Sequence, residues 1–218
     1  MRWTAHVRFG DGVYRAVRRM GERVDEDLVV RAQGGDRDAF EQIVNVSFDR
    51  SHGVAMRLLR DSQLAEDAVQ QAMVNVWRDL PRLRDPARYD AWSYKLLVRA
   101  CYAEYKRAPH WMPAIEEGSP TEPRAGGGYS AVIDRDQLER GFRRLSMEHR
   151  AVIVLHHYLD LPLDEVGRIL GIPTGTVKSR LHRALTEMRA ALEADERPAA
   201  AALDSAAQVP EGETEVAG

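Results

Sequence analysis

The chain has a single cysteine, Cys101, among 218 residues. That excludes an internal disulfide and a metal site built from several thiolates, and it fits a reducing compartment. Cys101 reads as a small buried apolar residue, with a redox sensor as the rarer use of such a thiol. No uncharged apolar run approaches the roughly 18 residues that span a bilayer. The arginines near the N-terminus are not followed by an apolar stretch, so the start is not a secretory signal. The expected location is therefore the cytoplasm, without membrane insertion. Strict apolar–polar alternation is missing, which argues against strands. Also missing are a nucleophile–base set, a glycine-rich phosphate loop after a strand, and paired carboxylates in a supporting pocket. Neither an enzyme nor a cofactor is expected. His149, His156 and His157 lack a further ligand at metal spacing, and no metal site is assigned.

What the sequence does contain is segregated charge. The net charge is −3, but residues 1–24 carry six Arg against two acids and residues 135–192 ten bases against seven acids. Residues 193–218 carry one base against seven acids. A near-neutral total thus coexists with local positive fields, which act within a Debye length of roughly 8–10 Å. Ala108 to Ser130 holds four prolines and four glycines without a period, the composition of a linker. The expected organisation is a basic extension at 1–24, a helical block at 25–107, a flexible linker at 108–134, a second helical block at 135–195 and an acidic disordered tail at 196–218.

Spacings of three and four dominate both blocks, so the fold class is all-α, two small helical domains joined by the linker. In the first block a helix begins near Asp25 and is broken by Gly34–Gly35. Another starts near Asp36 with Phe40, Ile43 and Val44 inward. Ser62 is placed to cap a helix through Leu80, with Ala65, Val69, Ala72, Val76 and Leu80 as its buried stripe. Pro81 and Pro86 bracket a loop before a last helix from about Arg88 to Arg107. In the second block one helix covers Gln137 to Leu145, and Ser146 caps the next.

The stretch "LDEVGRILGIPTGTVKSRLHRAL", Leu163 to Leu185, places Gly171 and Pro173 inside a strong helical pattern. Gly171 can end a helix in the left-handed conformation, Pro173 cannot continue one, and Thr174 can cap the next. Val177, Leu181, Ala184, Leu185 and Met188 share one side of that second helix. Ser179, His182, Arg183 and Thr186 point away, with Thr176, Lys178 and Arg180 flanking. Two helices around so short a corner form a helix-turn-helix, whose second helix enters a DNA major groove. A helical hairpin with a solvated basic face is the plainer reading. Gly167 to Thr186 contains four bases and no acid, which favours DNA.

Two features of the first block remain. "LAEDAVQQAMVNVWRDL" leaves Glu66, Asp67, Gln70, Gln71, Val74 and Asn75 outside the apolar stripe, either a docking face for a basic helix or an ordinary solvated one. "RYDAWSYKLLVRACYAEYKR" interleaves Tyr89, Trp92, Tyr94, Tyr102 and Tyr105 with Arg88, Lys95, Arg99, Lys106 and Arg107. Rings stack on bases and cations follow phosphates, so this suits single-stranded nucleic acid. The alternative is that Trp92 is core and the tyrosines are amphipathic edges.

Taken together, the two blocks resemble a bacterial sigma-70 family factor of the extracytoplasmic function (ECF) group over about residues 25–192. "AEDAVQQAMVNVW" is similar to the family's core-polymerase-binding helix. The resemblance implies that Glu66, Asp67, Gln70, Gln71, Val74 and Trp77 dock on core RNA polymerase. "RLRDPARYDAWSYKLLVRACYAEYKR" is placed like the segment that recognises and melts the minus-ten element. Arg84, Arg88, Tyr89, Trp92, Lys95, Arg99 and Tyr102 are its candidate contacts. "LSMEHRAVIVLHHYLDLPLDEVGRILGIPTGTVKSRLHRALTEMR" looks like the minus-thirty-five reader, with Thr174, Thr176, Lys178, Ser179, Arg180, His182 and Arg183 as candidates. Many members carry Asn then Asp in the minus-ten helix, where this chain reads Arg99, Ala100, Cys101 and Tyr102. The implied partners are core RNA polymerase and promoter DNA, duplex and melted, and many members add an anti-sigma factor. The competing classes are a regulator that binds duplex DNA without replacing a polymerase subunit, and a helical adaptor with no DNA role.

"MGERVDEDLVVRAQGGDRDAFEQIV" from Met20 already resembles a family N-terminus. The expectation is that translation can start at Met20, or that residues 1–19 are a loosely ordered basic arm. Intact mass of the native protein tests the internal start: a single species beginning at residue 1 or 2 excludes it.

Overall fold

A computed structural model of the chain describes residues 23–108 and 141–207, and these are helical, with no strand among them. Local chemistry sets each boundary. Asp25 caps α1 (Glu26–Gln33) by accepting from the Asp27 N–H at 2.9 Å. Gly35 at φ +92° turns the chain, and Asp36 then caps α2 (Arg37–Leu59) through the Ala39 N–H. Asp36 also takes both the Nε and Nη2 of Arg31, at 2.9 and 2.7 Å, so one carboxylate closes the corner. These bonds hold the Asp36 carboxyl below the usual carboxylate range, the Ala39 N–H acting most strongly. α2 ends on Arg60 in the left-handed region.

α3 (Ser62–Asp79) is capped by Asp61, whose Oδ1 accepts from Leu64 N at 2.8 Å, and not by Ser62. Its buried stripe is Ala65, Ala68, Val69, Ala72 and Val76, small enough for α4 (Tyr89–Arg107) to approach closely. The proline loop between them contains two short 3-10 turns, Leu80–Arg82 and Pro86–Arg88. Gln33 holds it from outside, donating to the Leu80 and Leu83 carbonyls at 3.1 and 2.6 Å. Beneath lies a small apolar cluster of Val29, Ile43, Val76, Leu80 and Tyr89.

In the second block residues 141–145 of the expected first helix lie within the described range, and 141–144 of them are helical. Ser146 caps α5 (Met147–Ile153) as expected, accepting from His149 N at 3.2 Å. The helix widens into a π turn, Val154–Tyr158, which the sequence pattern did not reveal. α6 (Leu163–Leu170) ends at Gly171, φ +69°, and the Ile172 N–H reaches back to the Gly167 carbonyl at 3.0 Å, a Schellman closure. α7 (Thr174–Ala207) starts with Val177 N bonded to the Pro173 carbonyl at 3.1 Å. Thr174 is thus the first helical residue and not the cap. α7 continues as helix into the stretch expected to be the tail, as far as Ala207. Along α7, Val177 and Ala184 are fully buried, but Leu185 is 37% exposed, against the expectation that it faces the core.

The largest departure from the sequence expectation concerns the two blocks. The main apolar cluster joins Val54, Leu58, Val69, Leu97, Val98 and Cys101 of the first to Val152, Leu155, Val166 and Ala184 of the second. α6 packs on α4, and α5 and the π turn pack on α2. The two expected helical domains are both present, and in this conformation one apolar cluster serves both. The connecting residues 109–140 lie outside the described range.

The corner provides a stability test. A Cβ on Gly171 meets nothing within 4 Å, so Gly171→Ala should cost only the left-handed penalty, ~1–2 kcal/mol. A Cβ on Gly167 would lie 2.8 Å from the Ile172 carbonyl oxygen and 3.7 Å from Thr174 N, so Gly167→Ala must move backbone. Urea unfolding should rank Gly167→Ala as the more damaging. A Gly167→Ala midpoint at or above that of the parent would contradict this packing.

Candidate polymerase and promoter interfaces

Three surfaces carry the residues singled out from the sequence. The first is the outer side of α3. Glu66, Asp67, Gln70 and Gln71 are all exposed there, and Val74 is 59% exposed. Trp77 is 40% exposed, its ring 4.7 Å from that of Phe40 and tilted by 58°. Phe40 therefore supports the indole from behind and leaves an outer face free. Gln71 donates to Asn75 at 3.3 Å, and Gln63 to Asp67 at 3.4 Å. These are exposed side-chain bonds that a partner can displace at small cost. Val74 and Trp77 thus form a small apolar patch among exposed acids and amides.

The second surface is α4 with its preceding loop. Arg84, Arg88 and Arg99 are exposed, and Lys95 is half-buried. Tyr89 is not available: it is 2% exposed, beside Trp92 at 6.0 Å between ring centroids. Burial, above all, pushes the Tyr89 phenol well above its ordinary range. Its role in this conformation is to seat the start of α4, which corrects its assignment as a contact. Trp92 is half-buried, between the core and contact readings. The helix is fixed in azimuth by Arg50, itself buried, which pairs with Asp90 at 2.9 Å and lies over the Tyr94 ring at 5.4 Å. Tyr102 is half-buried and its phenol is pushed up to about 12, first by burial and then by Glu148, with Arg180 opposing. Glu148 and Arg180 belong to the second block, so Tyr102 looks across the junction.

The third surface is the start of α7. Lys178, Ser179, His182 and Arg183 are exposed, while Thr174, Thr176 and Arg180 are half-buried. Ser179 Oγ donates to the Thr176 carbonyl at 3.0 Å, and Thr186 Oγ1 to that of His182 at 2.9 Å. Val177 and Ala184 anchor the opposite side, so the exposed bases share one outward face. His149 Nδ1 lies 2.8 Å from Glu187 Oε2 and ties α5 to α7. Among the described residues no three His, Cys, Asp or Glu side chains gather to hold a metal ion, and no helix is long and apolar enough to cross a membrane.

Protein-family models match both blocks: Sigma-70 region 2 over residues 48–109, and Sigma-70, region 4 over residues 141–190. The chain is 32% identical over 164 residues to ECF RNA polymerase sigma factor SigM of Mycobacterium tuberculosis, covering 75% of this chain and 82% of that one. The chain belongs to the sigma-70 family. ECF RNA polymerase sigma factor SigW of Bacillus subtilis is 27% identical, with 77% of this chain and 96% of SigW aligned. Two solved structures share the fold. One is CnrH in complex with the cytosolic domain of CnrY, with a TM-score of 0.58, 23% identity, and 79% of this chain and 99% of that one covered. The other is the sigma factor RpoE in complex with the anti-sigma factor NepR from Bartonella quintana, with a TM-score of 0.59, 21% identity, and 72% and 98% covered. Region 2 here contains the α3 and α4 surfaces, and region 4 contains the α6–α7 corner.

Sequence reasoning missed Arg150, Gly53 and Gly167. Arg150 is 7% exposed, its Nε has no hydrogen-bond partner, and its guanidinium lies 6.0 Å from the Tyr105 ring centre. Burial, first of all, weakens its hold on the proton, and Arg60 acts in the same direction. An arginine in the middle of an apolar helix was the only sequence signal for it.

Cys101 is fully buried, and burial pushes its thiol from an ordinary 9.0 up to about 12. A thiol held neutral by the fold contributes stability that is complete below pH 9 and is lost as pH rises toward 12, because the unfolded chain ionises first. At pH 8 the native chain should resist a thiol reagent and react only when urea unfolds it. Fast labelling of the native chain would place Cys101 at the surface.

Proposed function

We propose that this chain is a dissociable initiation factor that binds core RNA polymerase through α3 and directs it to promoters through α4 and α7. The observation that carries this reading is the pairing of an apolar–acidic docking patch with a basic helix-turn-helix in one chain. A regulator that binds only duplex DNA has no use for the first, and an adaptor has no use for the second. Core docking rests on Glu66, Asp67, Gln70, Gln71, Val74 and Trp77. Minus-ten recognition rests on Arg84, Arg88, Trp92, Lys95, Arg99 and Tyr102. Trp92 offers a ring for stacking once a base is flipped or melted, and the arginines follow the backbone. In the minus-thirty-five reader, Arg183 sits where a bidentate bond to guanine can form, with Lys178 and Arg180 on the flanking phosphates. RNA synthesis itself belongs to the polymerase, and the working compartment is the cytoplasm. One solved structure of similar fold holds a sigma factor with an anti-sigma factor, and the same class of partner suits this chain.

Reconstituted transcription with variants separates these roles. Asp67→Arg should weaken association with core polymerase while leaving helicity intact. Arg183→Ala should cost ~1–3 kcal/mol and relax preference at one position of the upstream element. Lys178→Ala should weaken all sequences alike and lower the salt slope by about one ion. If Asp67→Arg docks normally and Arg183→Ala keeps both activity and preference, the assignment of these faces is wrong.

A further inference from the structure

The junction between the two regions has a built contact that neither polymerase docking nor base reading uses. Tyr158 ends the π turn of region 4, and its ring lies under the Arg57 guanidinium of α2, 3.7 Å from Cζ to the ring centre. Arg57 is held in that pose by donating from Nη1 to the Gly53 carbonyl at 2.8 Å. Gly53 lies in the middle of α2, where glycine is a poor helix former. The absence of a side chain there makes the seat, because a Cβ on Gly53 would stand 2.7 Å from the Tyr158 hydroxyl oxygen. The π turn supplies the register that brings Tyr158 over this notch.

Closure has a geometric consequence, which rests on the sigma-factor reading. The minus-ten and minus-thirty-five elements lie about 25 base pairs apart, roughly 85 Å at ~3.4 Å per pair. In the closed chain the minus-ten helix α4 packs directly against α6 of the minus-thirty-five helix-turn-helix. The two readers cannot hold both elements at once in this form. We propose that Tyr158, seated in the Gly53 notch beneath Arg57, is a latch that keeps the free chain closed until polymerase separates the regions. Arg150 opposes the latch. Its charge is buried at the same junction against Tyr105, with Nε unpartnered, so opening returns a desolvated cation to water. The closed state is held by a specific contact and strained by a specific charge, which keeps it releasable.

The test is a distance measurement on the full chain. Spin labels go on Gln42→Cys in α2 and Ala190→Cys in α7, both exposed positions, in a Cys101→Ala background. The unlatched variants are Tyr158→Ala and Gly53→Gln. The second places a good helix former on α2 and fills the notch, so it stays decisive if Tyr158→Ala loses helicity. The expected result is a short, narrow distance distribution in the parent. Gly53→Gln with undiminished far-ultraviolet helicity should shift it to longer, broader values, and so should core polymerase added to the parent. A parent distribution that is already long and broad overturns the latch, as does one that Gly53→Gln leaves unchanged. Transcription with core polymerase is read separately: its absence alongside a normal distance shift counts against the initiation-factor reading and not against the latch.

Discussion

The structure turns on one shared apolar surface. Val54, Leu58, Leu97, Val98 and Cys101 of region 2 share one buried cluster with residues of α5, the π turn and α6 of region 4, and α2 and α4 pack on those elements. At ~25 cal/mol per Å2 of apolar area, burying even a few such side chains exceeds what an exposed ion pair contributes. The exposed pairs at the surface, such as Arg168 with Asp164, therefore tune local helices and do not set the architecture. The shared cluster and its edge also hold several awkward groups: a buried arginine, a thiol pushed up to about 12, and a phenol pushed equally high. Each is shifted first by desolvation, as expected where two blocks close over polar atoms.

That constraint leaves the working surfaces outside. The α3 patch faces solvent, as does the outer row of α7 from Lys178 to Arg183. α4 joins the shared cluster from Tyr94 to Tyr102. The α3 face proposed to dock polymerase is thus unobstructed in this conformation, while α4 packs against region 4.

Helical periodicity made much of this legible. The stripe Ala65, Val69, Ala72, Val76 and Leu80 is buried, as are Val166, Ile169, Val177 and Ala184, because a spacing of three or four identifies the inward face whatever lies opposite. Periodicity does not say what a face packs against, and so the junction was invisible and the blocks read as independent. The same gap misplaced Tyr89, whose neighbours in sequence are charged but whose neighbours in space are Ile43 and Leu80. Leu185 failed in the opposite sense, being 37% exposed where the stripe placed it inward. Cap errors had a local cause. Asp61 and Ser62 are both good caps, and it is the aspartate that accepts from Leu64 N, at 2.8 Å. The π turn has no composition signature, and Gly53 is explained only by a tyrosine about a hundred residues away. The outward residues of α3 and α7 were found because exposed charge on a helix opposite a buried stripe is readable directly.

As a sigma factor, this chain redirects core RNA polymerase to a defined set of promoters. The most direct measurement is transcription of sheared genomic DNA by core polymerase with and without the full chain, with start sites mapped at base resolution. New start sites are expected that require the chain and share two sequence elements, about ten and about thirty-five base pairs upstream. A start-site map that is the same with and without the chain, despite binding of the chain to polymerase, would contradict it.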